Sequence, residues 1–415
     1  MIERLRKDAL KVVQSAIEHA LPDNAVKQKL EQIELSSVVL VAIGKAAWRM
    51  AKAAKDVLKD EIKKGIVITK YNHSEGDIDG VEIYEAGHPV PDENTMKATE
   101  RALQLVKNLT QNDTVLLLIS GGGSSLFEKP KGSVTLDQLQ KLTNQLLKSG
   151  ASIEEINAVR KHLSEVKGGR FAQKVFPARV VCLILSDVLG DKLDVIASGP
   201  AHPDSSTSQQ ALEILKKYNI SVEENVLKEL SEETPKSLSN VESHIVGSVK
   251  IACEKAVEVA EGLGYNSTIL TTNLDCEAKE AGFFIASIAK ELVLHDRPLK
   301  KPCALVLGGE TVVHVKGRGK GGRNQELALS AAIKIAGLDD VVICSVGTDG
   351  TDGPTDAAGG LVDGKTVERI KKAGFDPMKF LEENDSYNAL KIAKDLLVTG
   401  PTGTNVNDLI LILVG

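Results

Sequence analysis

Residues 341–360 read VVICSVGTDGTDGPTDAAGG, an apolar run followed by five glycines interleaved with three aspartates. The β-branched run 341–343 predicts a buried strand. Glycine lets backbone approach a ligand closely, while Asp349, Asp352 and Asp356 could hold a divalent cation or accept a proton. Open α/β sheets bind ligands beyond the carboxyl ends of their strands. The stretch therefore predicts a functional loop, with a solvated series of Asp-Gly turns as the alternative.

Strands and helices alternate on both sides of this loop. In the N-terminal half, apolar runs at 38–44, 65–70, 114–119 and 178–187 predict strands separated by helical segments. The C-terminal half continues the alternation and ends on LILILV at 409–414, while a glycine turn at 308–311 suggests an antiparallel hairpin. This pattern predicts two α/β domains with mainly parallel sheets.

A polar stretch at 221–240, rich in Glu, Lys and Ser, marks the predicted domain boundary. We expect an N-terminal domain of residues 1–236 and a C-terminal domain of residues 237–415. The strand SHIVGS, at 243–248, is then expected to open the second domain.

Composition limits the classes of protein that the chain can belong to. With 415 residues, 42% of them hydrophobic and 26% charged, it has the composition of a soluble globular protein. The net charge of −6 argues against a general nucleic-acid surface, and no apolar run approaches the length of a membrane span. Five scattered cysteines without metal-type spacing predict reduced thiols and a cytoplasmic protein. Composition does not predict the oligomeric state.

A serine- and glycine-rich segment directly follows the predicted strand at 114–119. Consecutive glycines expose backbone N–H groups, and a following helix N-terminus adds positive potential, so the segment suits a phosphate or carboxylate. The alternative is a plain strand-to-helix turn, and the segment lacks the GK[ST] ending of a Walker A loop. The candidate anion-binding residues are Ser120, Gly121, Gly122, Gly123, Ser124 and Ser125.

A second glycine-rich segment, GRGKGGRNQE, spans residues 317–326 and formally matches the dinucleotide pattern GxGxxG. No acidic residue stands at the place where a ribose ligand would be expected, and the preceding strand resembles a hairpin arm. The cations among the glycines are more informative, because Arg323 could bind phosphate oxygens in a bidentate manner. Gly321, Gly322 and Asn324 are included as candidate phosphate-binding residues; a solvated basic loop is the alternative.

Two further residues follow predicted strands. Lys45 lies on the turn after the first strand, where an ammonium group could bind a carboxylate or stabilise a transferring phosphoryl group. Asp187 ends a strand in LSDVLGD, a position suited to a metal ligand or a base, or merely to a helix cap.

The ordered set of motifs resembles one known family. GKA at Lys45, SGGGSSL, SDVLGD with IASGP, GGET, GKGGRNQE, GTDGTDGPTDAAGG and TGPTGTNVND occur in this order along almost the whole chain. This set closely resembles the class II glycerate kinases, whose C-terminal half is called the MOFRL domain. The resemblance implies ATP- and Mg²⁺-dependent phosphorylation of D-glycerate at its 2-hydroxyl group. It also implies an active-site cleft between an N-terminal Rossmann-like domain and the C-terminal MOFRL domain.

The resemblance also implies roles for particular residues. Lys45 and Arg323 are expected to be the principal catalytic or substrate-binding cations, with Asp187 and Asp349 as the carboxylates beside them. The metal ligands are expected among Asp187, Asp349 and Asp356, without an assignment of which carboxylate acts as base. Glycerate and a nucleotide are then the partners, and neither nucleic acid nor a membrane is expected.

Two other functions are alternatives to this one. A nicotinamide-dependent hydroxy-acid dehydrogenase could use the GxGxxG pattern at Gly317, and a non-catalytic sugar-acid sensor could use the same anion-binding loops. The missing acidic residue argues against the first, and the lack of a DNA-binding motif argues against a regulatory sensor.

Overall fold

The computed structural model describes all 415 residues and separates them into two compact units. The N-terminal unit comprises residues 22–246, and the C-terminal unit comprises residues 1–21 together with 247–415. None of the helices combines the length and the apolar character needed to cross a membrane.

Twelve strands form one six-stranded sheet in each unit. They are β1 (Val38–Ile43), β2 (Ile62–Lys70), β3 (Val81–Ala86), β4 (Thr114–Ile119), β5 (Arg179–Leu185), β6 (Val241–Gly247), β7 (Asn266–Leu274), β8 (Cys303–Gly309), β9 (Val341–Gly347), β10 (Gly359–Asp363), β11 (Leu396–Leu397) and β12 (Asp408–Val414).

Sixteen α-helices surround these sheets. They are α1 (Ile2–His19), α2 (Pro22–Leu30), α3 (Ala47–Leu58), α4 (Glu93–Leu105), α5 (Gly123–Leu126), α6 (Leu136–Lys148), α7 (Ile153–His162), α8 (Arg170–Val175), α9 (Ser208–Lys217), α10 (Glu224–Leu230), α11 (Val249–Gly262), α12 (Ala278–His295), α13 (Arg323–Ile335), α14 (Thr366–Lys372), α15 (Pro377–Glu382) and α16 (Ser386–Ala393). The alternation of strands and helices confirms the α/β class predicted for both halves of the chain.

The N-terminal sheet has the strand order β3-β2-β1-β4-β5-β6. Its first five strands are parallel, and β1 and β4 are buried along their whole length. Since parallel strands end at one edge of a sheet, the loops after β1, β4 and β5 emerge together. These three loops carry Lys45, the segment Ser120–Ser125 and Asp187.

The C-terminal sheet has the order β11-β10-β9-β12-β8-β7 and is mixed, which corrects the prediction of mainly parallel strands. β12 is antiparallel to both β8 and β9, and only β7 and β8 form a parallel pair. Fully buried strands form continuous apolar runs whatever their direction, so the apolar run in β12 did not reveal its antiparallel pairing. The register places Asp408 of β12 opposite Gly309 of β8 and Gly347 of β9.

Two local predictions for this unit were also wrong. The turn after β8 does not lead into a hairpin, because residue 312 makes only an isolated parallel bridge with Glu277. Gly359 and Gly360 lie in β10 rather than in a loop, and a Cβ atom on Gly359 would lie 2.0 Å from the carbonyl oxygen of Ser345. Close approach of neighbouring backbone explains why a strand here needs glycine.

The division into units differs from the expected domains 1–236 and 237–415 at both ends. Helix α1 belongs to the C-terminal unit, where it packs against α11, β9 and β12. Arg6 ties it to Asp363 at 2.6 Å and to Asp395 at 2.9 Å. β6 was expected to open the second domain but pairs with β5 at the edge of the N-terminal sheet. Local composition does not predict the unit to which α1 or β6 belongs, because both placements depend on long-range packing.

Candidate active site

The loops after β1 and β4 are hydrogen-bonded to each other. The Lys45 N–H donates to the Gly121 carbonyl at 2.9 Å, and the Ala46 N–H donates to Ser120 Oγ at 3.0 Å. Gly44 has a φ of +115°, and a Cβ atom there would lie 2.3 Å from Ser120 Oγ. Glycine is thus required before Lys45 both by conformation and by the close approach of the second loop.

Lys45 and Asp187 meet at the glycine loop. A Cβ atom on Gly121 would lie 2.3 Å from Asp187 Oδ2 and 3.6 Å from Lys45 Cε. A Cβ atom on Gly122 would lie 2.9 Å from the His88 ring and 3.3 Å from Lys45 Cγ. The lack of side chains on these two glycines therefore makes room for Lys45, Asp187 and His88.

His88 is a further member of this cluster, and no sequence motif indicated it. Burial lowers the pKa of His88, and the nearby cations Lys45 and Lys70 lower it further. The imidazole is therefore neutral near pH 7, where it can accept or donate one hydrogen bond. The motif GHPVPD did not indicate that His88 lies beside the glycine loop. In sequence, β3 and α4 separate the motif from the other loops, although His88 lies close to Gly122 in the fold.

The serines of the glycine loop bond within the unit. Ser120 is buried, Ser125 Oγ donates to the Gly122 carbonyl at 3.1 Å, and Ser124 Oγ lies 2.8 Å from Ser198 Oγ. The following helix α5 has only four residues, so the expected contribution of a helix N-terminus is small. Backbone N–H groups and the neighbouring Lys45 are the remaining means of binding an anion here.

In the C-terminal unit, three separate motifs converge on Arg323, the first residue of α13. Its guanidinium donates to Glu310 Oε1 at 2.8 Å and to Asp408 Oδ1 at 3.0 Å, with Nε 2.7 Å from Asp408 Oδ2. Glu310 follows β8 and Asp408 begins β12, so the antiparallel pairing of these strands brings both carboxylates to one edge. One N–H on each terminal nitrogen of Arg323 remains for a ligand.

Burial and the ion pair act in opposite directions on the pKa of Asp408, and likewise on the pKa of Arg323. Burial raises the pKa of Asp408 to about 6, although Arg323 and Asn324 stabilise its charged form. Burial alone would lower the pKa of Arg323, but Asp408 and Glu310 outweigh it and raise the pKa above its usual value. The guanidinium therefore stays charged throughout, while Asp408 takes up a proton in mildly acidic solution.

The Asp408→Asn variant is expected to change how stability depends on pH. Between about pH 4 and 6 the folded wild type holds a proton on Asp408 that the unfolded chain has released, so wild-type stability falls as the pH rises. The variant lacks this contribution, so its stability relative to wild type should rise over the same interval. Denaturant unfolding at pH 4.5, 5.5 and 6.5 measures the difference; a constant difference would contradict the raised pKa.

Arg323 and Asp349 line one cavity of about 670 Å³. Asp349 follows β9, and its Oδ1 accepts the Thr351 N–H at 2.9 Å. Gly321 and Gly322 line the same cavity, and Val312, Val313 and Val315 give it an apolar side. The structure thus brings together Arg323, Asp349 and the glycines in a cavity of the size that holds small ligands.

Three other predicted residues serve different purposes. Asp352 is buried and accepts the N–H groups of Asn324 at 3.1 Å and Gln325 at 2.9 Å, which ties the aspartate loop to the start of α13. The Asn324 side chain is buried and donates to Asp408 at 3.0 Å, so its geometry supports the ion pair rather than phosphate binding. Asp356 is exposed, accepts from the Tyr387 hydroxyl at 2.7 Å and lies outside the cavity, contrary to its expected role as a metal ligand.

The GxGxxG pattern lacks the structural context of a dinucleotide site. Residues 313–322 form no strand and instead follow residues 383–385: Asn384 Oδ1 accepts the N–H of Gly317 at 3.0 Å, and the Gly319 N–H donates to the Glu383 carbonyl at 2.8 Å. A Rossmann fingerprint would directly follow a strand. The geometry therefore gives no support to a nicotinamide site at this segment.

The structure holds no group of three or more His, Cys, Asp or Glu side chains placed to bind a metal ion. Mg²⁺ in phosphoryl-transfer enzymes is usually bound by one or two carboxylates together with substrate phosphates. Either of two aspartates could supply one such carboxylate: Asp349, which faces the cavity, or Asp187, which faces the glycine loop.

Comparison with known proteins adds independent evidence. Residues 8–231 match a family described as a domain of unknown function (DUF4147), and residues 303–408 match the MOFRL family. A D-glycerate 2-kinase from Thermotoga maritima is 65% identical over 412 residues, 99% of each chain. A glycerate 2-kinase from Pyrococcus horikoshii is 43% identical, covering 99% of this chain and 97% of its own length. The crystal structure of glycerate kinase from T. maritima matches with a TM-score of 0.98 over 100% of both chains, at 65% identity.

Proposed function

The chain belongs to the glycerate 2-kinase family with a C-terminal MOFRL domain and is a glycerate-phosphorylating enzyme, and we propose that it transfers the γ-phosphoryl group of ATP to the 2-hydroxyl of D-glycerate. The observation that carries the proposal is the pairing of cations with carboxylates at glycine-rich loops. Lys45 and Asp187 meet at Gly121, and Arg323 and Asp349 share a cavity. Phosphoryl transfer needs such positioning and charge neutralisation more than covalent catalysis.

In the proposed reaction the glycerate 2-hydroxyl oxygen bonds to the γ-phosphorus as the bond from that phosphorus to the bridging oxygen of ATP breaks. The hydroxyl proton passes to a carboxylate, either Asp187 or Asp349, and ADP leaves with the electrons of the broken bond. Lys45 and Arg323 bind the glycerate carboxylate or the phosphoryl oxygens.

Glu310 and Asp408 hold the guanidinium of Arg323 in one orientation before any ligand arrives. An arginine held in this way loses less conformational entropy when it binds an oxyanion. Mg²⁺ would be held by Asp187 or Asp349 and would neutralise charge on the phosphates of ATP.

ADP release coupled to NADH oxidation tests the proposal. We expect turnover only when D-glycerate and MgATP are both present. Without ATP, a dehydrogenase would instead oxidise D-glycerate with NAD(P)⁺, and the absorbance of the reduced cofactor would show it. D-glycerate binding without any turnover would favour the sensor, and either of these results would overturn the proposal.

Gly121→Ala is expected to lower kcat/KM at least tenfold with little loss of stability. The new methyl group would lie 2.3 Å from Asp187 Oδ2, so the carboxylate must move from its position beside the glycine loop. A misplacement of this size at a reacting group costs one to two orders of magnitude in rate. Gly262→Ala is the matched control, because a Cβ atom there meets nothing within 4 Å. Wild-type kinetics in Gly121→Ala would show that Asp187 has no role.

A further inference from the structure

Three charged side chains lie behind the glycine loop, outside the set that sequence reasoning identified. Lys167 and Glu128 are both 0% exposed, and the Arg160 side chain is 14% exposed. Lysine, arginine and glutamate are seldom buried in this way unless they are paired. The groups that these three side chains contact therefore indicate why they are buried.

The two cations bind backbone carbonyls of the loop. Lys167 Nζ donates to the Ser124 carbonyl at 2.7 Å and to the Phe127 carbonyl at 2.8 Å, and Arg160 donates to the Ser124 carbonyl at 3.1 Å. α5 is only one turn long, so these carbonyls have no partners further along the helix. Lys167 and Arg160 thus donate hydrogen bonds to these carbonyls from behind the loop. The other side of the loop carries Lys45.

Glu128 balances only part of this charge. Its Oε2 lies 3.3 Å from Lys167 Nζ and 3.6 Å from Arg160, while its Oε1 accepts from Ser164 Oγ at 2.6 Å. Burial lowers the pKa of Lys167 to about 8, with Glu128 raising it and Arg160 lowering it. Within this cluster of three side chains two cations face one carboxylate, and salt screens charges poorly at a buried site.

The same segment also holds a second loop against the first. The N–H groups of Gly168 and Gly169 donate to the carbonyls of Ser198 at 3.0 Å and Gly199 at 2.7 Å. Ala197 and Ser198 have φ values of 50° and 59°, which are unfavourable for residues with side chains. Surrounding contacts must maintain this conformation, and the 2.8 Å contact of the Ser198 and Ser124 hydroxyls joins it to the glycine loop.

We propose that Lys167 and Arg160 are positioning residues that fix the glycine loop, residues 120–125, and supply positive charge beneath it for an anionic substrate group. The anion is a carboxylate or a phosphate, so its source is either D-glycerate or the nucleotide. This inference rests on the proposed function and deepens it, because it assigns the glycine loop a binding role that depends on charges from α7 and from the segment before α8.

Binding and kinetics of four variants test the proposal at pH 7. Arg160→Met and Lys167→Met each remove one charge and its hydrogen bonds, so the affinity for the anion should fall about tenfold or more. Arg160→Lys keeps the charge and a donor, and its affinity should stay within about threefold of wild type. Lys129→Met, which removes a neighbouring lysine whose ion pair with Glu100 is partly exposed, is the control. Calorimetric titration with D-glycerate and, separately, with ADP measures the dissociation constants.

Loss of D-glycerate affinity would identify the anion at the loop as a carboxylate, and loss of ADP affinity would identify it as a phosphate. Dissociation constants and kcat/KM within twofold of wild type in both methionine variants would overturn the proposal. Equal losses in Arg160→Lys and Arg160→Met would do so too, because a purely structural role predicts no rescue by lysine. If Lys167→Met fails to fold, the Arg160 pair decides alone. Failure of wild type to phosphorylate glycerate would instead overturn the proposed function.

Discussion

Lys45→Ala is expected to lower kcat by about 10³-fold while the protein remains folded. Lys45 is the cation that lies against Gly121, Gly122 and Asp187, and a preorganised cation stabilises the charge of the transferring phosphoryl group. Its backbone N–H, which binds the Gly121 carbonyl, is retained in the variant, so the loop stays in place. ADP release at saturating D-glycerate and MgATP measures kcat, and thermal unfolding monitors the fold.

Lys52→Ala provides the matched control, since Lys52 lies on α3, the helix that follows Lys45, and pairs only with the exposed Asp56. It should leave kcat unchanged, because exposed i,i+4 ion pairs contribute only a few tenths of a kcal/mol. A kcat within tenfold of wild type in Lys45→Ala would remove this lysine from the reaction.

Arg323→Ala is expected to lower both activity and stability. Loss of the guanidinium should reduce kcat by about 10³-fold or more, as for other residues that stabilise transferring phosphoryl groups. It also leaves the buried Asp408 without its cation, which we expect to reduce the free energy of unfolding by about 2 kcal/mol. Steady-state kinetics and denaturant unfolding at pH 7 measure the two effects.

A second substitution separates these effects. In the double variant Arg323→Ala/Asp408→Asn the uncompensated carboxylate is gone, so part of the lost stability should return. Activity should not return, because no cation has been restored to the cavity. Recovery of kcat together with stability would mean that Arg323 acts only by holding the fold.

The sequence predicted the elements of the N-terminal site because parallel strands impose their own geometry. Lys45, the glycine loop and Asp187 each follow a buried strand, and the strands β1, β4 and β5 are neighbours. The sequence indicated the strands and the residues after them, but the strand order that brings the three loops together is a property of the folded sheet. His88 was missed because its loop follows β3, two strands away from β1, and reaches Gly122 by a path that local pattern does not specify.

The partners of Arg323 could not be predicted in this way. Glu310 and Asp408 lie 98 residues apart and meet only because β12 inserts between β8 and β9. The antiparallel direction of β12 is a tertiary property, and its apolar run is equally compatible with a parallel strand. The aspartates of the glycine-rich stretch likewise looked equivalent, yet burial of Asp352 and exposure of Asp356 gave them different roles.

The burial of charged side chains was the feature that the sequence indicated least. Lys167 and Glu128 stand in polar surroundings in the sequence, where charged residues normally indicate a solvent-exposed face. Only the contacts of Lys167 with the carbonyls behind the glycine loop show its position. Similarly, the place of α1 in the C-terminal unit depends on ion pairs between Arg6 and residues more than 350 positions away.

The identity of the phosphorylated product tests the central claim most directly. ³¹P NMR of a mixture of D-glycerate, MgATP and wild-type enzyme should show 2-phosphoglycerate and ADP appearing at equal rates, and enolase should act on the product. Formation of 3-phosphoglycerate, which enolase leaves untouched, or the absence of any phosphorylated glycerate would contradict the account.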